Sequence, residues 1–213
     1  MRLALASIAA LIAAPFTSAS AQSNIETPDY ITVAESGPMQ IREYAPMIAA
    51  EVVVTADNRR QAASRGFRPL AGYIFGGNTA RDKIAMTAPV TSQASQKIDM
   101  TAPVTSAKAS DGQFRVRFIM PSKWTMDTLP VPNNDKVALI EVPKHKMAVL
   151  RYVGDDSEKI RTEAQAGLTE WLISEGYQVS GEPVWAGYDD PMTRRSKRRF
   201  EIMLPIETTE YAA

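Results

Sequence analysis

Hydrophobic and polar residues alternate along several short segments of this chain, which is the pattern of half-buried β-strands. In the clearest case, 114–120, the two sets are Phe114, Val116 and Phe118 against Arg115, Arg117 and Ile119. Successive side chains of a strand point to opposite faces, so this segment is expected to bury one face. Further strands are predicted near 30–35, 39–44, 47–55, 137–142, 147–153, 182–187 and 199–205.

Two other segments carry apolar residues at the spacing of three to four that indicates an amphipathic helix. The first helix is predicted over 57–75, with Asp57 as N-cap and an apolar face made of Ala63, Phe67, Leu70 and Ile74. The second is predicted to follow a capping box of Asp155 and Glu158 and to end at Gly176. Its apolar face comprises Ile160, Ala164, Leu168, Trp171 and Leu172.

Each half of the chain therefore has a group of strands, one helix and two further strands. This repetition predicts a pseudo-symmetric α+β domain whose helices pack against a curved sheet or open barrel, with a cleft between helices and sheet. A loop-rich stretch over 83–110 is expected to join the halves. It contains a short internal repeat, because the segment 83–92 recurs as 97–106.

The N-terminus has the pattern of an export signal. Arg2 precedes an apolar stretch over 3–16, and the small residues of Ala19-Ser20-Ala21 place cleavage before Gln22. A membrane anchor is the alternative, but the stretch is shorter than the roughly 20 residues that span a bilayer. We expect a cleaved signal peptide at 1–21, a flexible lead-in at 22–29, one domain at 30–207 and a C-terminal tail at 208–213. We therefore expect a periplasmic or secreted protein without stable membrane insertion.

The composition narrows the possible chemistry. The full chain has 24 Lys and Arg residues and 24 Asp and Glu residues, so it has no overall field for nucleic acid. It contains no cysteine, which excludes disulfides, thiol catalysis and cysteine-ligated metal. Phosphate-cradling glycine loops, nucleophile elbows and zinc-protease motifs are also missing. No metal site and no catalytic residue are predicted, and the protein is not expected to be an enzyme.

Three other features could contribute to a site. His145, the only histidine, lies between two lysines and is either an exposed hairpin residue or a ligand to metal or haem. The methionines suggest an adaptable apolar pocket lining rather than a soft-metal site. The basic run 194–199 is either a solvated loop or a contact for ligand carboxylates.

Several motifs together resemble the SOUL haem-binding protein family. They are GFRPL at 66–70, YIFGGN at 73–78, KIAMTAPV at 83–90, RFIMP at 117–121, VLRYVG at 149–154 and RRFEI at 198–202. The resemblance covers about 30–205 and keeps the motifs in order. It implies a distorted antiparallel β-barrel flanked by two α-helices and built from two related halves.

The same resemblance implies that haem or another tetrapyrrole binds in an apolar cleft, mostly against the first helix, with cations holding the propionates. The expected cofactor-binding residues are Ala63, Phe67, Leu70, Ile74, Arg60 and His145. The axial histidine of some family members precedes the first helix, where this chain has none. His145 or a methionine would have to replace it, so weak binding without a strong axial ligand is expected, as in a periplasmic buffer or carrier.

An alternative comes from a different class of protein. The fold also resembles the small-molecule-binding domains of gyrase-inhibitor-like proteins, some of which hydrolyse ligands in their cleft. Glu201 would then be the buried acid, with Tyr44 or Tyr152 nearby. The simpler interpretation of Glu201 is an edge-strand residue paired with Arg199 or Arg117. A third possibility is an interaction protein whose cleft stays empty.

Overall fold

The computed structural model describes residues 25–81, 95–190 and 192–208. Within them the chain forms α1 (Arg59–Ile74), α2 (Glu158–Ser174) and a 3-10 helix (Arg195–Lys197). The strands of the first half are β1 (Tyr30–Ser36), β2 (Met39–Tyr44), β3 (Met47–Thr55), β4 (Asn78–Thr79), β5 (Val104–Ser110) and β6 (Gln113–Ile119). Those that follow are β7 (Val131–Pro132), β8 (Ala138–Val142), β9 (His145–Val153), β10 (Tyr177–Val179), β11 (Val184–Gly187) and β12 (Arg199–Thr208).

One curled antiparallel sheet dominates the described part of the chain. Its strand order is β1-β2-β9-β12-β11-β5-β6-β3-β8, and β10 pairs with the end of β12. The sheet forms an open half-barrel, and both helices pack against its outer face. The predicted α+β class with a distorted barrel and two helices is confirmed.

The strand pairings show how the two halves are related. In the first half β3 pairs with β6, and β6 pairs with β5; in the second half β9 pairs with β12, and β12 pairs with β11. β5 and β11 pair with each other, so a pseudo-twofold axis passes between them. β2 of the first half pairs with β9 of the second, and β8 of the second pairs with β3 of the first. Each half therefore completes the sheet of the other.

Both helix starts differ from the sequence-based prediction. The N-cap of α1 is Asn58 rather than Asp57, because the Asn58 side chain accepts a hydrogen bond from the Gln61 amide. The N-cap of α2 is Ser157, whose hydroxyl accepts from the Ile160 amide, and not Asp155. Asp, Asn and Ser are all good N-caps, so a run of them leaves the cap undecided by one or two residues.

The apolar core lies between the outer face of the sheet and the helices. One cluster packs α1 on β3 and β6, with Leu70, Tyr73 and Val116 almost fully buried. The other packs α2 on β9 and β12 around Leu168 and Leu204. The predicted cleft between helices and sheet is therefore wrong: that space is filled with side chains, and the open space is on the other face.

Several local predictions also change. The segment assigned to a loop-rich stretch contains β5, because its residues pair with both β6 and β11. In the predicted flexible lead-in, Glu26 forms a bridge with Thr101 and accepts a hydrogen bond from the Ser122 amide. The signal peptide, the first copy of the repeat and the tail beyond Thr208 lie outside the described residues. None of the helices in the described ranges is long and apolar enough to cross a membrane.

Candidate functional site

The alternation along each strand gives the sheet two chemically different faces. On β6, Val116 and Phe118 face α1 and are buried, as the sequence predicts, whereas Arg115 and Arg117 face the inside of the half-barrel. On β12, Ile202 and Leu204 face α2, whereas Glu201 and Met203 face inward. The apolar set builds the core, so the inward set is left to line a site.

The inner face encloses a cavity of about 840 Å³. Its wall includes three methionines, Met47, Met147 and Met203, which pack with Tyr44 and Tyr188. The charged residues at inward positions around it are five arginines (Arg42, Arg115, Arg117, Arg151 and Arg199) and three glutamates (Glu182, Glu201 and Glu207). Each of these arginines has a carboxylate partner, and these partners are Glu201, Glu51, Glu35 and Asp189.

The cavity lies on the pseudo-twofold axis. A cross-strand row runs through Glu51, Arg117, Thr105, Ala186, Glu201 and Arg151. The axis relates the two ends of this row, so Arg117 of one half corresponds to Glu201 of the other, with the charge inverted. Met47 and Met147 stand four residues before the two ends, on equivalent strands. Fold symmetry thus gives matching apolar walls, while the charges differ between halves.

A buried polar network in the cavity wall joins β2 of the first half to β12 of the second. Arg42 donates from Nη2 to Glu201 Oε1 at 2.9 Å and from Nη1 to Glu201 Oε2 at 3.2 Å. The same guanidinium donates to the Tyr44 hydroxyl at 3.0 Å, and the Tyr188 hydroxyl donates to Glu201 Oε2 at 2.6 Å. The Arg42 side chain is 2% exposed and that of Glu201 6%, so this is a buried ion pair.

The network fixes the charge of its members. Burial disfavours the charged form of Arg42, but Glu201 and Tyr44 outweigh it and raise the pKa of the guanidinium. Burial, aided by the nearby Glu201 charge, raises the pKa of the Tyr44 and Tyr188 hydroxyls. At neutral pH this part of the wall therefore contains a guanidinium paired with Glu201 and two neutral phenols.

His145 stands at the edge of this cavity. It is half-buried and pairs in register with Tyr44 of β2, on whose ring it stacks with centroids 5.4 Å apart and planes at 15°. Its Nδ1 lies 2.7 Å from the carbonyl oxygen of Pro143. Among the described residues no cluster of His, Asp or Glu could hold a metal ion by itself.

The other predicted cofactor-binding residues lie on α1, on the far side of the sheet from the cavity. The prediction put four of them on one open face, but Leu70 and Ile74 are 0% and 2% exposed because they pack against the sheet. Phe67 is 38% exposed and contacts Phe118 edge-on, and Ala63 is half-buried. Arg60 is exposed on the same helix. The structure does not bring these residues together with His145.

The structure agrees in part with the alternative hypothesis based on Glu201. Glu201 is a buried acid at the cavity with Tyr44 close by, but its partner is Arg42 on β2 rather than Arg199 or Arg117. Those two arginines pair with Asp189 and Glu51. Tyr152 faces α2 and donates to Asp156, so it lies away from the cavity. Glu201 is also in a central strand rather than at an edge.

Sequence reasoning missed Arg42 and Tyr188 as cavity residues. The polar alternation Gln40, Arg42 and Tyr44 on β2 was a usable signal, as was a single glutamate within the apolar run of β12. Neither signal could identify the partner, because Arg42 and Glu201 are 159 residues apart in the chain.

Solved structures share the fold at low sequence identity. The C-terminal domain of EcmrR superposes with a TM-score of 0.55 and 14% identity, covering 80% of this chain and 97% of that one. A hydrolase from Listeria innocua gives 0.54 and 14%, covering 82% and 94%. At this identity the likeness describes the architecture alone.

Similarity in sequence is more informative. Heme-binding protein 2 of Homo sapiens is 29% identical over 174 residues, covering 79% of this chain and 80% of that protein. The protein of the same name from Mus musculus is 29% identical over 159 residues, covering 74% and 73%. The family model described as SOUL heme-binding protein matches residues 25–205, which is nearly the whole described domain. The chain belongs to the SOUL heme-binding protein family.

Proposed function

We propose that the protein binds haem or a related tetrapyrrole in the cavity between its two halves. The observation that carries the proposal is the cavity itself, with about 840 Å³ of space, methionine walls and five inward arginines. Pockets for small molecules span about 300–1,000 Å³ and combine apolar walls with a few polar groups. Haem is a flat apolar disc with two propionates, so both its area and its charge are complemented here. The family and both relatives support the same ligand.

The cavity is a better candidate than the outer face of α1. A ligand on α1 could contact Phe67, Ala63 and Arg60, but Leu70 and Ile74 are committed to the core. Freeing those two side chains would cost about 2–5 kcal/mol each, which is the usual loss when a large core residue no longer packs. The cavity offers apolar area without that cost.

The binding we propose is reversible, and the role is that of a buffer or carrier rather than an enzyme. Arg115 and Arg117 at the cavity have side chains 39% and 29% exposed, so ionic contacts made there are partly screened by solvent. Both oxygens of Glu201 accept hydrogen bonds, two of them from a guanidinium, which leaves this carboxylate poorly suited to act as a general base. No observation therefore favours hydrolysis by Glu201.

Matched alanine-to-tryptophan variants distinguish the two locations. Ala107→Trp on β5 would project an indole into the cavity, whereas Ala63→Trp would add the same bulk to α1. We expect haemin affinity, measured by absorbance titration, to fall at least about tenfold in Ala107→Trp and to stay within about twofold in Ala63→Trp. The reverse result would move the site to α1. Absence of any haemin-dependent Soret change at tens of micromolar would overturn haem binding altogether.

The contribution of charge has its own test. Protoporphyrin IX dimethyl ester keeps the disc but lacks the free propionates. It should bind more weakly than protoporphyrin IX if the arginines of the cavity hold the propionates. The difference should shrink as salt concentration rises. Equal affinity for the two compounds would contradict the ionic part of the proposal.

We also propose that the protein acts outside the cytoplasm, on the basis of the signal pattern at 1–21. Expression of the full chain in a bacterium should yield a periplasmic protein whose intact mass matches residues 22–213. A cytoplasmic product that retains Met1–Ala21 would contradict this location.

A further inference from the structure

The chain crossing between the halves brings a histidine to the cavity edge. β8 and β9 are consecutive in the chain but belong to different parts of the sheet: β8 pairs with β3, whereas β9 pairs with β2 and β12. The turn between them therefore passes from one wall of the cavity to the other. His145 is the first residue after this turn, and its side chain lies on the cavity face together with that of Met147.

The hydrogen bond of His145 determines which ring nitrogen can act as a ligand. A carbonyl oxygen only accepts hydrogen bonds, so the 2.7 Å contact with Pro143 requires Nδ1 to carry the proton. In the neutral imidazole the lone pair is then on Nε2, which has no hydrogen-bond partner among the described residues. Metal-ligating histidines commonly take this arrangement, with one nitrogen donating to a backbone carbonyl and the other binding the metal.

The orientation of the ring is fixed as well. The stacking on Tyr44 holds one side of the imidazole, and Tyr44 is held in turn by Arg42 and the buried ion pair with Glu201. A ligand side chain that is already ordered loses little conformational entropy on binding, which favours affinity.

We propose that His145 Nε2 is the axial ligand to the iron of haem bound in the cavity, with Tyr44 as a positioning residue. This inference rests on the proposed function. It replaces the expectation of binding without a strong axial ligand, which depended on the lack of a histidine before α1. The topology supplies an imidazole from the opposite half instead.

Haemin and metal-free protoporphyrin IX separate ligation from cavity shape. His145→Ala should lower haemin affinity at least about tenfold and change the Soret band and the low-temperature EPR spectrum, because the iron loses a nitrogen ligand. Its affinity for protoporphyrin IX should stay within about twofold. Added free imidazole should restore the wild-type spectrum. Thermal unfolding of the ligand-free variant reports whether it is folded.

Other outcomes overturn the inference in distinguishable ways. If His145→Ala binds haemin with unchanged affinity and spectrum, the histidine is no ligand, although the proposed function stands. If both porphyrins lose affinity in parallel, His145 shapes the cavity only. If the wild-type protein binds neither porphyrin, the proposed function itself fails.

The positioning role of Tyr44 has a separate readout. Tyr44→Leu removes the stacked ring and should shift the haemin spectrum towards that of His145→Ala with a smaller loss of affinity. Tyr44→Phe keeps the aromatic ring and should keep the stack on His145 and the wild-type spectrum. If the wild type, Tyr44→Leu and Tyr44→Phe give indistinguishable haemin spectra, this role of Tyr44 is contradicted.

Discussion

At the scale of single residues, the cavity wall contains a buried charge pair in which each member depends on the other. Arg42 and Glu201 are both almost fully buried, and Tyr44, Tyr188 and Gln40 supply further hydrogen bonds. Burying two charges costs more than most pairs return, so such a pair is weak evidence for stability. What the pair does is orient Tyr44 and keep a fixed charge pattern in the cavity wall.

Removing one charge of this pair should be costly. Glu201→Gln leaves Arg42 buried without a counter-charge, and we expect the free energy of unfolding to fall by about 3 kcal/mol. The double variant Arg42→Met, Glu201→Leu should lose clearly less than the single one, because no uncompensated charge remains. Urea unfolding measures both. The exposed Glu207→Gln on the same strand is the control and should change stability by less than about 0.5 kcal/mol.

Because of Tyr73, the free energy of unfolding should depend on pH in the alkaline range. Its hydroxyl donates to the Pro130 carbonyl at 2.9 Å, and burial raises its pKa to about 12 from 10.0. Between these values the unfolded chain loses a proton that the folded chain keeps, so stability is intact below pH 10 and falls as pH rises towards 12. Tyr73→Phe should cost about 1 kcal/mol at pH 8 and reduce this alkaline loss. Parallel pH profiles of the urea midpoint would contradict the assignment.

At the scale of elements, the position of α1 is set by a close approach to β6. The side of the helix facing the sheet comprises Ala62, Gly66, Leu70, Tyr73 and Ile74. A Cβ on Gly66 would lie 2.6 Å from Cβ and Cγ2 of Val116, so the helix backbone packs directly on the Val116 side chain. The predicted apolar face shared Leu70 and Ile74 with the true one but took Ala63 and Phe67 instead of Ala62 and Gly66. Glycine does not register as hydrophobic in a periodicity pattern, which is why the face was rotated.

Two glycines of α1 should respond in opposite ways to the same substitution. Gly66→Ala must displace Val116 or the helix, and overpacking of this kind costs about 1–3 kcal/mol. Gly72→Ala meets nothing within 4 Å and should stabilise the protein by up to about 1 kcal/mol through helix propensity. Urea unfolding of both variants tests the contact. A stabilised Gly66→Ala would show that α1 does not pack this closely on the strand.

Elements were more predictable from the sequence than their partners. The alternation over 114–120 correctly identified the buried face of β6, because apolar and polar residues alternate along a strand that buries only one face. β5 was assigned to a loop, since a strand at the centre of the sheet owes its conformation to neighbours on both sides. The candidate site was harder to predict than the elements, because it depends on which strands pair. His145 was a candidate from its residue type, but its place beside Tyr44 depends on the register of β2 and β9.

At the scale of the whole molecule, the two halves are not separate domains. They have separate apolar clusters, one under each helix. However, β2 of the first half is the neighbour of β9, β8 of the second half is the neighbour of β3, and β5 pairs with β11. A half that unfolded alone would strip strands from the sheet of the other half. The cavity would be lost with it, since both halves supply its wall.

This interlocking predicts that the described domain unfolds in one cooperative transition. Two single-tryptophan variants report on the halves: Trp171→Phe with Trp185→Phe leaves Trp124 beside the first cluster, and Trp124→Phe with Trp185→Phe leaves Trp171 beside the second. We expect coincident urea transitions when tryptophan fluorescence of each variant is compared with its own far-UV circular dichroism. Comparing probes within one variant removes the effect of the substitutions on stability. If fluorescence and circular dichroism separate, one half can persist alone, and the cross-pairings then contribute less than the two clusters under the helices.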